Sequence, residues 1–506
     1  MSLVLHNTLT RRLDPLVPLA PGRVSLYTCG PTIYNYAHIG NFRTFLFEDL
    51  LRRWLEASGY DVFHIMNLTD VDDRTIAAAG GRGVSLRAHV DPFARAFEED
   101  RDWLRIIPAH AQPRATEFIP AMIRLIEGLL TKGVAYRGED GSVYFAIARF
   151  PDYGRLSQLD RRELKAGASE RVSADEYAKE DARDFVLWKA ARPEDEAVGA
   201  AWDAPFGRGR PGWHIECSAM ALELLARHWN TDVLDIHAGG VDLIFPHHED
   251  EIAQSCAYTG RAEFARHWVH GEFLRIDGTK MSKRYGNILT VRDLREQAVE
   301  PAAVRLLLFG THYRQLLEWS DEALAAAREG SARLGAFRDR LERAAGGADA
   351  PAAQALADRF RVDFAAALDD DLNAPRAIAA LFELVREGNR LLDEGVGVGP
   401  AMTAAWALAD RVLAVAPASR TLTVGLDELP VEQEDGIPVR PPEVPPADPQ
   451  GAEAWALRWA AVRLAEKRGR NYVEADRIRD LLRRSGWEIR DRRDGQIEVL
   501  RSRGSV

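Results

Sequence analysis

The stretch RVSLYTCGPTIYNYAHIGNFRTFLFEDLLRRWLEASGYDVFHIM, residues 23–66, decides the fold. Residues 23–29 predict a short apolar strand that ends at a Gly-Pro turn. From Phe42 to Leu55 the apolar residues keep helical spacing, and residues 62–66 predict a second strand. A strand, a helix and another strand in this order open a parallel, doubly wound sheet. The sequence therefore predicts an α/β protein.

Two short motifs point to phosphate chemistry. HIGN, residues 38–41, lies at the predicted strand-to-helix junction, where free backbone N–H groups and the helix dipole favour an anion. KMSKR, residues 280–284, places Lys280 and Lys283 on a Gly-flanked loop. Activation of a carboxylate by ATP puts negative charge on phosphate oxygens, and fixed donors must meet that charge. Each motif alone is weak, because a loop with two lysines is usually only surface, but together they predict an ATP site.

A third stretch, HAGGVDLIFPHHEDEIAQ, residues 237–254, suggests a metal site. His247 and Glu251 are spaced i, i+4, so a helix places them on one face. One imidazole and one carboxylate make half of a four-coordinate zinc site, and Cys29 and Cys217 are candidates for the other half. The same residues also have ordinary interpretations. A lone buried cysteine is usually a small hydrophobe, and two histidines near a helix start are often polar surface.

Composition limits the class of protein. With 506 residues, 46% hydrophobic and 28% charged, the chain is expected to form two to four globular domains. Its three cysteines are too few for a disulfide framework and suit a reducing cytosol. The N-terminus lacks a signal-peptide core, and no apolar run is long enough for a membrane span. The net charge of −11 argues against a nucleic-acid partner unless basic residues are segregated, and residues 457–506 do carry 14 Lys and Arg against 8 Asp and Glu.

Changes in amino-acid composition and apolar spacing along the chain predict its division into domains. The two halves of the nucleotide-binding fold are expected at 1–135 and 211–270, separated by a connective insertion at 136–210. The loop region at 271–320 precedes a helical bundle at 321–420. The Pro-rich, acidic stretch 421–452 is predicted as a linker, and 453–506 as a small C-terminal domain.

Further long segments resemble one known family. They are YTCGPTIYNYAHIGNFRT, MNLTDVDDRTI, GRPGWHIECSAM, DIHAGGVDLIFPHHEDEIAQ, KMSKRYGN and DDDLNAPRA. Over essentially its whole length the chain is similar to bacterial-type cysteinyl-tRNA synthetases of class I. The resemblance implies a Rossmann-like parallel sheet with an insertion, followed by an α-helical bundle and a small C-terminal domain that contacts the anticodon. It also implies ATP-dependent activation of L-cysteine and its transfer to the 3′-terminal ribose of tRNA-Cys.

The resemblance also implies roles for matching residues. The expected catalytic groups are His38, Asn41, Lys280 and Lys283. The expected ATP-binding groups are Gly40, Gly239, Gly240, Asp242 and again Lys283. The expected amino-acid pocket contains Cys29, Trp213 and His214, and the expected ligands of one zinc ion per subunit are Cys29, Cys217, His247 and Glu251. The chain departs from the family pattern at Arg284, where the lysine motif usually ends in Ser, and at Asn41, which replaces the second histidine of the HIGH signature.

Several alternatives stay open on the sequence alone. The zinc is expected to select cysteine over serine, because sulfur binds zinc far better than a neutral hydroxyl does. A structural zinc, or a hydrolytic zinc with Glu249 as general base, is the alternative. The rival functions are an ATP-dependent cysteine:amine ligase of mycothiol synthesis and a non-catalytic RNA- or zinc-binding relative.

Asp70, Asp72 and Asp73 are expected either to touch metal or substrate or to cap a helix. The expected partners are ATP with Mg²⁺, L-cysteine and tRNA-Cys, for a monomer in the cytoplasm.

Overall fold

The computed structural model describes residues 3–158, 184–276, 278–280, 288–344, 347–417, 421–424, 433–434, 437–438, 440–446, 449–491 and 497–501. It divides into two compact units, one of Met1–Leu334 with Ala345–Ala416 and one of Gly335–Ala344 with Pro417–Val506. Among these described residues, no helix has the length and apolar content that crossing a bilayer requires.

The strands are β1 (Val4–Asn7), β2 (Arg12–Pro15), β3 (Arg23–Thr28), β4 (Asp61–Met66), β5 (Ala135–Arg137), β6 (Val143–Phe145), β7 (Phe185–Ala190), β8 (Gly209–Pro211), β9 (Leu234–Gly240), β10 (Ala265–Gly271), β11 (Leu274–Ile276), β12 (Thr279–Lys280), β13 (Leu317–Trp319), β14 (Thr421–Val424), β15 (Gln433–Glu434), β16 (Ile437–Pro438), β17 (Trp487–Asp491) and β18 (Ile497–Arg501).

The helices are α1 (Ile39–Ala57), α2 (Asp73–Gly81), α3 (Leu86–Trp103), α4 (Ile119–Thr131), α5 (Pro193–Val198), α6 (Trp213–Trp229), α7 (Glu249–Thr259), α8 (Val291–Glu296), α9 (Pro301–Phe309), α10 (Asp321–Ala344), α11 (Pro351–Leu368), α12 (Ala374–Asp393), α13 (Pro400–Leu413), α14 (Pro449–Arg468) and α15 (Tyr472–Arg484).

A parallel sheet with strand order β10-β9-β3-β4 organises the first unit. Leu26 of β3 is paired with His64 of β4 on one side and with Ile236 of β9 on the other. Every residue of β3 after Arg23 is buried, as expected for a strand covered on both faces. The prediction of a parallel α/β fold from residues 23–66 is confirmed. Because all four strands run the same way, their carboxyl ends lie along one edge, which is where such folds bind ligands.

The interrupting segment forms its own antiparallel sheet, in the order β5-β6-β7-β8. Its first hairpin turns at Asp140-Gly141, where the φ of Gly141, 81°, lies in the left-handed region that favours glycine. A smaller sheet, β12-β11-β13, follows β10 and includes the backbone of Lys280. The positions of Lys283 and Arg284 lie outside the described residues.

The acidic run 70–73 serves local structure. Asp72 is the N-cap of α2, and its carboxylate accepts a hydrogen bond from Thr75 N at 2.7 Å. Asp70 accepts hydrogen bonds from Thr116 N at 2.9 Å and Thr116 Oγ1 at 2.6 Å. Asp73 pairs with Lys189 Nζ at 2.8 Å. These contacts agree with the helix-capping alternative for Asp72 and give the other two acids protein partners.

The second unit contains helices α14 and α15 and an antiparallel sheet in the order β14-β18-β17. Its core includes Trp455, Trp459, Ile478, Leu482 and Trp487. Thr421–Val424, which the sequence prediction placed in a linker, is instead an edge strand that pairs with β18. The Pro-rich and acidic residues that follow dominated the sequence pattern, whereas this strand is specified by pairing with residues about 75 positions away.

Position 30, immediately after Cys29, requires glycine because the backbone of Asn67 lies very close to it. A Cβ at this position would lie 1.7 Å from the carbonyl oxygen of Asn67. The same turn is fixed by a hydrogen bond from Gly30 N to Asn67 Oδ1 at 3.0 Å. The chain that carries Cys29 out of β3 is therefore held against the residue that follows β4.

We expect Gly30→Ala to lower the thermal unfolding temperature, because the added methyl displaces backbone at a cost of about 2–3 kcal/mol. Gly81→Ala is the matched control, since a Cβ there meets nothing within 4 Å and alanine reduces the freedom of the unfolded chain. Differential scanning calorimetry of both variants measures the difference. An unfolding temperature for Gly30→Ala equal to that of Gly81→Ala contradicts the close approach.

Candidate functional site

Four side chains predicted as metal ligands meet at the carboxyl edge of the parallel sheet. Cys29, Cys217, His247 and Glu251 are all buried, and one donor atom from each lies within 4.8 Å of the others. The Cys29 and Cys217 sulfurs are 4.0 Å apart, and Cys29 Sγ is 4.0 Å from Glu251 Oε1. His247 Nε2 lies 3.1 Å from the same Glu251 oxygen. The i, i+4 spacing thus brings His247 and Glu251 onto one face.

Each donor comes from a different local structure. Cys29 follows β3, and Cys217 lies one turn inside α6, which begins at Trp213 after the N-cap Gly212. Glu251 is in the first turn of α7. His247 is in the segment Ile244–His248 just before that helix. The first two donors are therefore fixed by the sheet and α6, and the other two by the entry into α7.

Two further histidines orient these donors. His237 Nε2, from the middle of β9, is 3.0 Å from Glu251 Oε2 and so contacts the carboxylate oxygen that His247 does not. His214 Nδ1 lies 3.1 Å from His247 Nδ1, which leaves His247 Nε2 directed at the cluster. Such contacts fix the tautomer and direction of ligand side chains in metal sites. The sequence prediction assigned His214 to the amino-acid pocket and did not single out His237.

The electrostatics of the cluster favour anionic donors. A hydrogen bond from the Cys29 thiol lowers the pKa of Cys217 to about 6, whereas burial raises the pKa of Cys29 well above its usual value. Burial raises the pKa of Glu251, but the imidazoles of His237 and His247 outweigh it and hold that pKa at about 2. Burial lowers the pKa of His247, but the Cys217 and Glu251 anions raise it to about 10. One thiolate and one carboxylate thus share the site with an imidazolium group, whose proton a bound metal would displace.

A second, overlapping set of donors shares two members with the first. Cys29, His237, His248 and Glu251 also lie within 4.8 Å of one another. His248 Nε2 is 3.3 Å from Cys29 Sγ, and His248 Nδ1 is 2.8 Å from His270 Nε2. The sequence prediction missed His248 and His270 as neighbours of the cluster. A histidine within an apolar parallel strand, as at positions 237 and 270, was the signal available in the sequence.

The amino-acid pocket residues predicted from the sequence do adjoin the cluster. The ring of Trp213 lies over the ring of His247 with centroids 4.3 Å apart, and Trp213 is 36% exposed. His214 is near Asp250, with Nε2 3.4 Å from Oδ2. A partly exposed indole thus lies beside the buried donors.

Glu249 has a structural role that was not expected. Its carboxylate oxygens accept hydrogen bonds from the backbone of Gly154 at 2.9 Å, Leu156 at 3.1 Å and Ser157 at 2.8 Å. A carboxylate that binds three N–H groups anchors a loop and has few lone pairs left for water. This geometry argues against the alternative in which Glu249 is the general base of a hydrolytic zinc site.

The HIGN motif begins α1 through reciprocal hydrogen bonds. His38 is the N-cap, and its Nδ1 accepts from Asn41 N at 3.2 Å while Asn41 Oδ1 accepts from His38 N at 3.1 Å. Gly40 lies in the first turn. Ile39 N donates to Leu289 O at 2.8 Å, so the motif contacts the chain just beyond the lysine motif. His38 also forms a β-bridge with Thr290, so HIGN is adjacent to residues that follow the lysine motif in sequence.

The predicted adenosine-binding residues lie at the carboxyl end of β9, where Gly239 and Gly240 are the last two strand residues and Asp242 is in the turn that follows. A Cβ on Gly239 would lie 2.9 Å from Leu243 Cδ1, and one on Gly240 would lie 2.7 Å from Asp242 Oδ1. The two glycines therefore permit a tight turn that places Asp242 at the carboxyl end of β9. All the predicted site residues except Lys283, which lies outside the described residues, and the side chain of Lys280 can thus be located.

The chain matches two family models. A model described as "tRNA synthetases class I (C) catalytic domain" matches residues 15–329, and one described as "DALR domain" matches residues 363–415. The cysteine–tRNA ligase of Chlamydia pneumoniae is 44% identical over 499 residues, which is 97% of each chain. That of Protochlamydia amoebophila is 43% identical over 494 residues, 97% of this chain and 96% of the other.

Solved structures agree on the fold. Mycobacterium tuberculosis methionyl-tRNA synthetase bound by methionyl-adenylate superposes with a TM-score of 0.57 at 16% identity, covering 78% of this chain and 92% of that one. The leucyl-tRNA synthetase ternary complex from Agrobacterium radiobacter has a TM-score of 0.55 at 13% identity, covering 79% and 84%. At these identities the structures support the fold, and the family follows from the long sequence matches. The chain belongs to the cysteine–tRNA ligase family of class I tRNA synthetases.

Proposed function

We propose that the chain activates L-cysteine with ATP to form cysteinyl adenylate and pyrophosphate, and then transfers the cysteinyl group to the 3′-terminal ribose of tRNA-Cys. The observation that carries this proposal is the 44% identity to a cysteine–tRNA ligase over 97% of the chain. The buried donor cluster beside the HIGN helix supports it, because a thiol-selecting site and a phosphate-binding helix end are what the reaction requires.

The donor set fits one zinc ion, with Cys29, Cys217, His247 and Glu251 as its ligands. Two sulfurs, an imidazole and a carboxylate are buried within mutual reach, and at neutral pH the low pKa of Cys217 makes it a thiolate. When bound, the zinc supplies a Lewis acid that prefers the substrate thiolate to the hydroxyl of serine. A purely hydrophobic pocket separates such close analogues only about 10–200-fold.

The protein's own groups position the other parts of the reaction. Trp213 and His214 line the amino-acid side of the site, and Cys29 lies at its base. The N-terminus of α1, with His38, Gly40 and Asn41, faces developing phosphate charge. Lys280 and Lys283 add cationic donors, with Mg²⁺ accompanying ATP, while Gly239, Gly240 and Asp242 receive the adenosine. Since no covalent enzyme intermediate is needed, the rate depends on holding the cysteine carboxylate in line with the α-phosphate.

The second unit is proposed to bind the anticodon end of the tRNA. Residues 457–506 carry 14 Lys and Arg against 8 Asp and Glu, in a chain whose total charge is −11. Positive charge concentrated in one part of an otherwise acidic protein favours binding of a polyanion such as tRNA. We expect the affinity to fall as the salt concentration rises. We expect the enzyme to act as a cytoplasmic monomer.

The decisive test of this function compares two acceptors for radiolabelled cysteine, total bacterial tRNA and glucosaminyl-inositol. We expect ATP-dependent charging of tRNA with cysteine, and no charging when serine replaces it. Amide product without charged tRNA would move the function to the amine ligase of mycothiol synthesis. No cysteine-dependent ATP–pyrophosphate exchange at all would favour the non-catalytic relative.

We expect Cys217→Ser to lower the zinc content well below one ion per chain and to raise the KM for cysteine at least about tenfold, because a thiolate ligand is lost. Cys256→Ser is the matched control, since Cys256 is also a free, buried cysteine but belongs to neither donor set. Atomic absorption and ATP–pyrophosphate exchange measure the two effects. Full zinc content in Cys217→Ser would instead assign the ion to the set containing His237 and His248.

We expect a chain that ends after Ala416 to keep cysteine-dependent ATP–pyrophosphate exchange within about threefold of the full chain. Its kcat/KM for tRNA charging should fall at least about tenfold, because most of the second unit and its cationic residues are removed. Exchange and charging on the same preparation separate the two steps. Undiminished charging would show that the second unit does not bind the anticodon end.

A further inference from the structure

Arg43 is a buried cation on the HIGN helix, and its hydrogen bonds to described residues all go to backbone carbonyls. It lies one turn after Gly40 in α1 and is 5% exposed. Its guanidinium donates to the carbonyl oxygens of Phe273, Gln315 and His312, the last at 3.3 Å. Burial lowers its pKa to about 10, although the nearby Glu272 carboxylate opposes this. The side chain thus stays charged at neutral pH and is held by carbonyl dipoles.

The three carbonyls belong to two connections that enter one small sheet. Phe273 lies between the end of β10 at Gly271 and the start of β11 at Leu274. His312 and Gln315 lie in the turn before β13, which starts at Leu317. The two connections also bond each other, through Glu272 N to Tyr313 O at 2.7 Å. Arg43 therefore binds the entrances of β11 and β13 together.

A second residue on the same face of α1 reinforces this contact. Phe47, four residues after Arg43, stacks on Tyr313 with ring centroids 5.0 Å apart and an interplanar angle of 22°. A Cβ on Gly271 would lie 2.5 Å from the Phe47 ring, so β10 ends directly against this face. The face of α1 that carries Arg43 and Phe47 thus packs against the start of the small sheet.

The small sheet continues into the lysine motif. β11 pairs with β12, and Arg275 of β11 is opposite Lys280. β11 also pairs with β13 in parallel, with Leu274 opposite Leu317. The backbone of Lys280 is therefore one strand away from the connection that Arg43 binds, while His38 caps the same helix five residues before Arg43.

Other arginines at this helix also donate to backbone carbonyls, but each of them binds a carboxylate as well. Arg52 pairs with Glu56 at 2.7 Å and Arg53 with Asp49 at 2.8 Å, in both cases four residues apart in α1. Arg305 pairs with Asp49 at 2.9 Å and donates to the carbonyls of Leu413, Leu104 and Arg105. Within the described part of the chain, Arg43 instead bonds carbonyls alone, and its planar set of N–H donors fixes backbone position, which an ammonium group reproduces only in part.

We propose that Arg43 is a positioning residue for ATP activation: by binding the carbonyls of Phe273, His312 and Gln315 it fixes the sheet that carries Lys280 relative to His38 at the N-terminus of α1. The proposal rests on the proposed function, since it concerns the two motifs that meet the phosphates of ATP. Small displacements of groups that position reacting atoms can cost about 10²-fold in rate.

The test compares Arg43→Gln, Arg43→Lys and Arg52→Gln in the full-length protein by cysteine-dependent ATP–pyrophosphate exchange. Arg52 is the matched control, because it lies on the same helix, is also 5% exposed and also donates to a backbone carbonyl, that of Pro108, at 2.7 Å. We expect kcat to fall about 10–100-fold in Arg43→Gln and by a smaller factor in Arg43→Lys. The KM for cysteine and the zinc content should stay within about twofold in both, and kcat in Arg52→Gln should stay within about threefold.

Equal losses of kcat in Arg43→Gln and Arg52→Gln would overturn the proposal, because the effect would then be general destabilisation of α1. A loss of zinc or a raised KM for cysteine that accompanies the fall in kcat would also overturn it. If Arg43→Gln does not fold, Arg43→Lys decides, and unchanged kcat in that variant overturns the role. A wild-type protein that shows no cysteine-dependent exchange would overturn the proposed function itself, whereas an active wild type with an unaffected Arg43→Gln overturns only the role of Arg43.

Discussion

The contact of Glu251 with two buried histidines is the interaction on which the buried donor cluster depends. A carboxylate taken fully out of water is costly unless it is paired and hydrogen-bonded. Here His237 meets one oxygen at 3.0 Å and His247 meets the other at 3.1 Å. Because His237 comes from the centre of the parallel sheet and His247 from the entry of α7, the pairing fixes helix to sheet. It also places Glu251 Oε1 4.0 Å from Cys29 Sγ.

The cluster concentrates acidic groups in a way that a core without a ligand would not favour. Two sulfurs and a carboxylate lie within 4.8 Å of one another in a buried space, and His247 alone among the first donor set offers positive charge. Like charges at such distances are destabilising in a medium of low dielectric constant. A divalent cation would remove this conflict and displace the imidazolium proton. The proposed zinc ion would thus account for the donor types and for the burial of so many titratable groups at the carboxyl edge of the sheet.

Sequence reasoning could predict what depends on local spacing. The strand, helix and strand of residues 23–66 follow from periodicity, and the i, i+4 pair His247 and Glu251 follows from helix geometry. Contacts between distant segments were not accessible in the same way. His237 and His270 look like ordinary strand residues until the strands are paired, and Glu249 looks available until the loop at 154–157 folds over it. Strand β14 was missed because four residues carry little periodicity, and their state is set by pairing with β18.

The two halves of the proposed chemistry are supported by different parts of the fold. The predicted thiol-selecting donors are all buried and are fixed by the sheet, α6 and α7, with Cys29 held in place by the close approach at Gly30. The predicted phosphate-binding groups include His38 at the N-terminus of α1 and Lys280, whose backbone belongs to the separate small sheet. Helix α1 contacts the entrances of this sheet through the three carbonyls that the Arg43 side chain binds. On the proposed function, selection of the amino acid would therefore depend on the buried donors, whereas activation would depend on how α1 and the small sheet are placed against each other. Changes that shift these two elements would alter the rate of adenylate formation without altering which amino acid is bound, because no donor of the cluster lies on the small sheet.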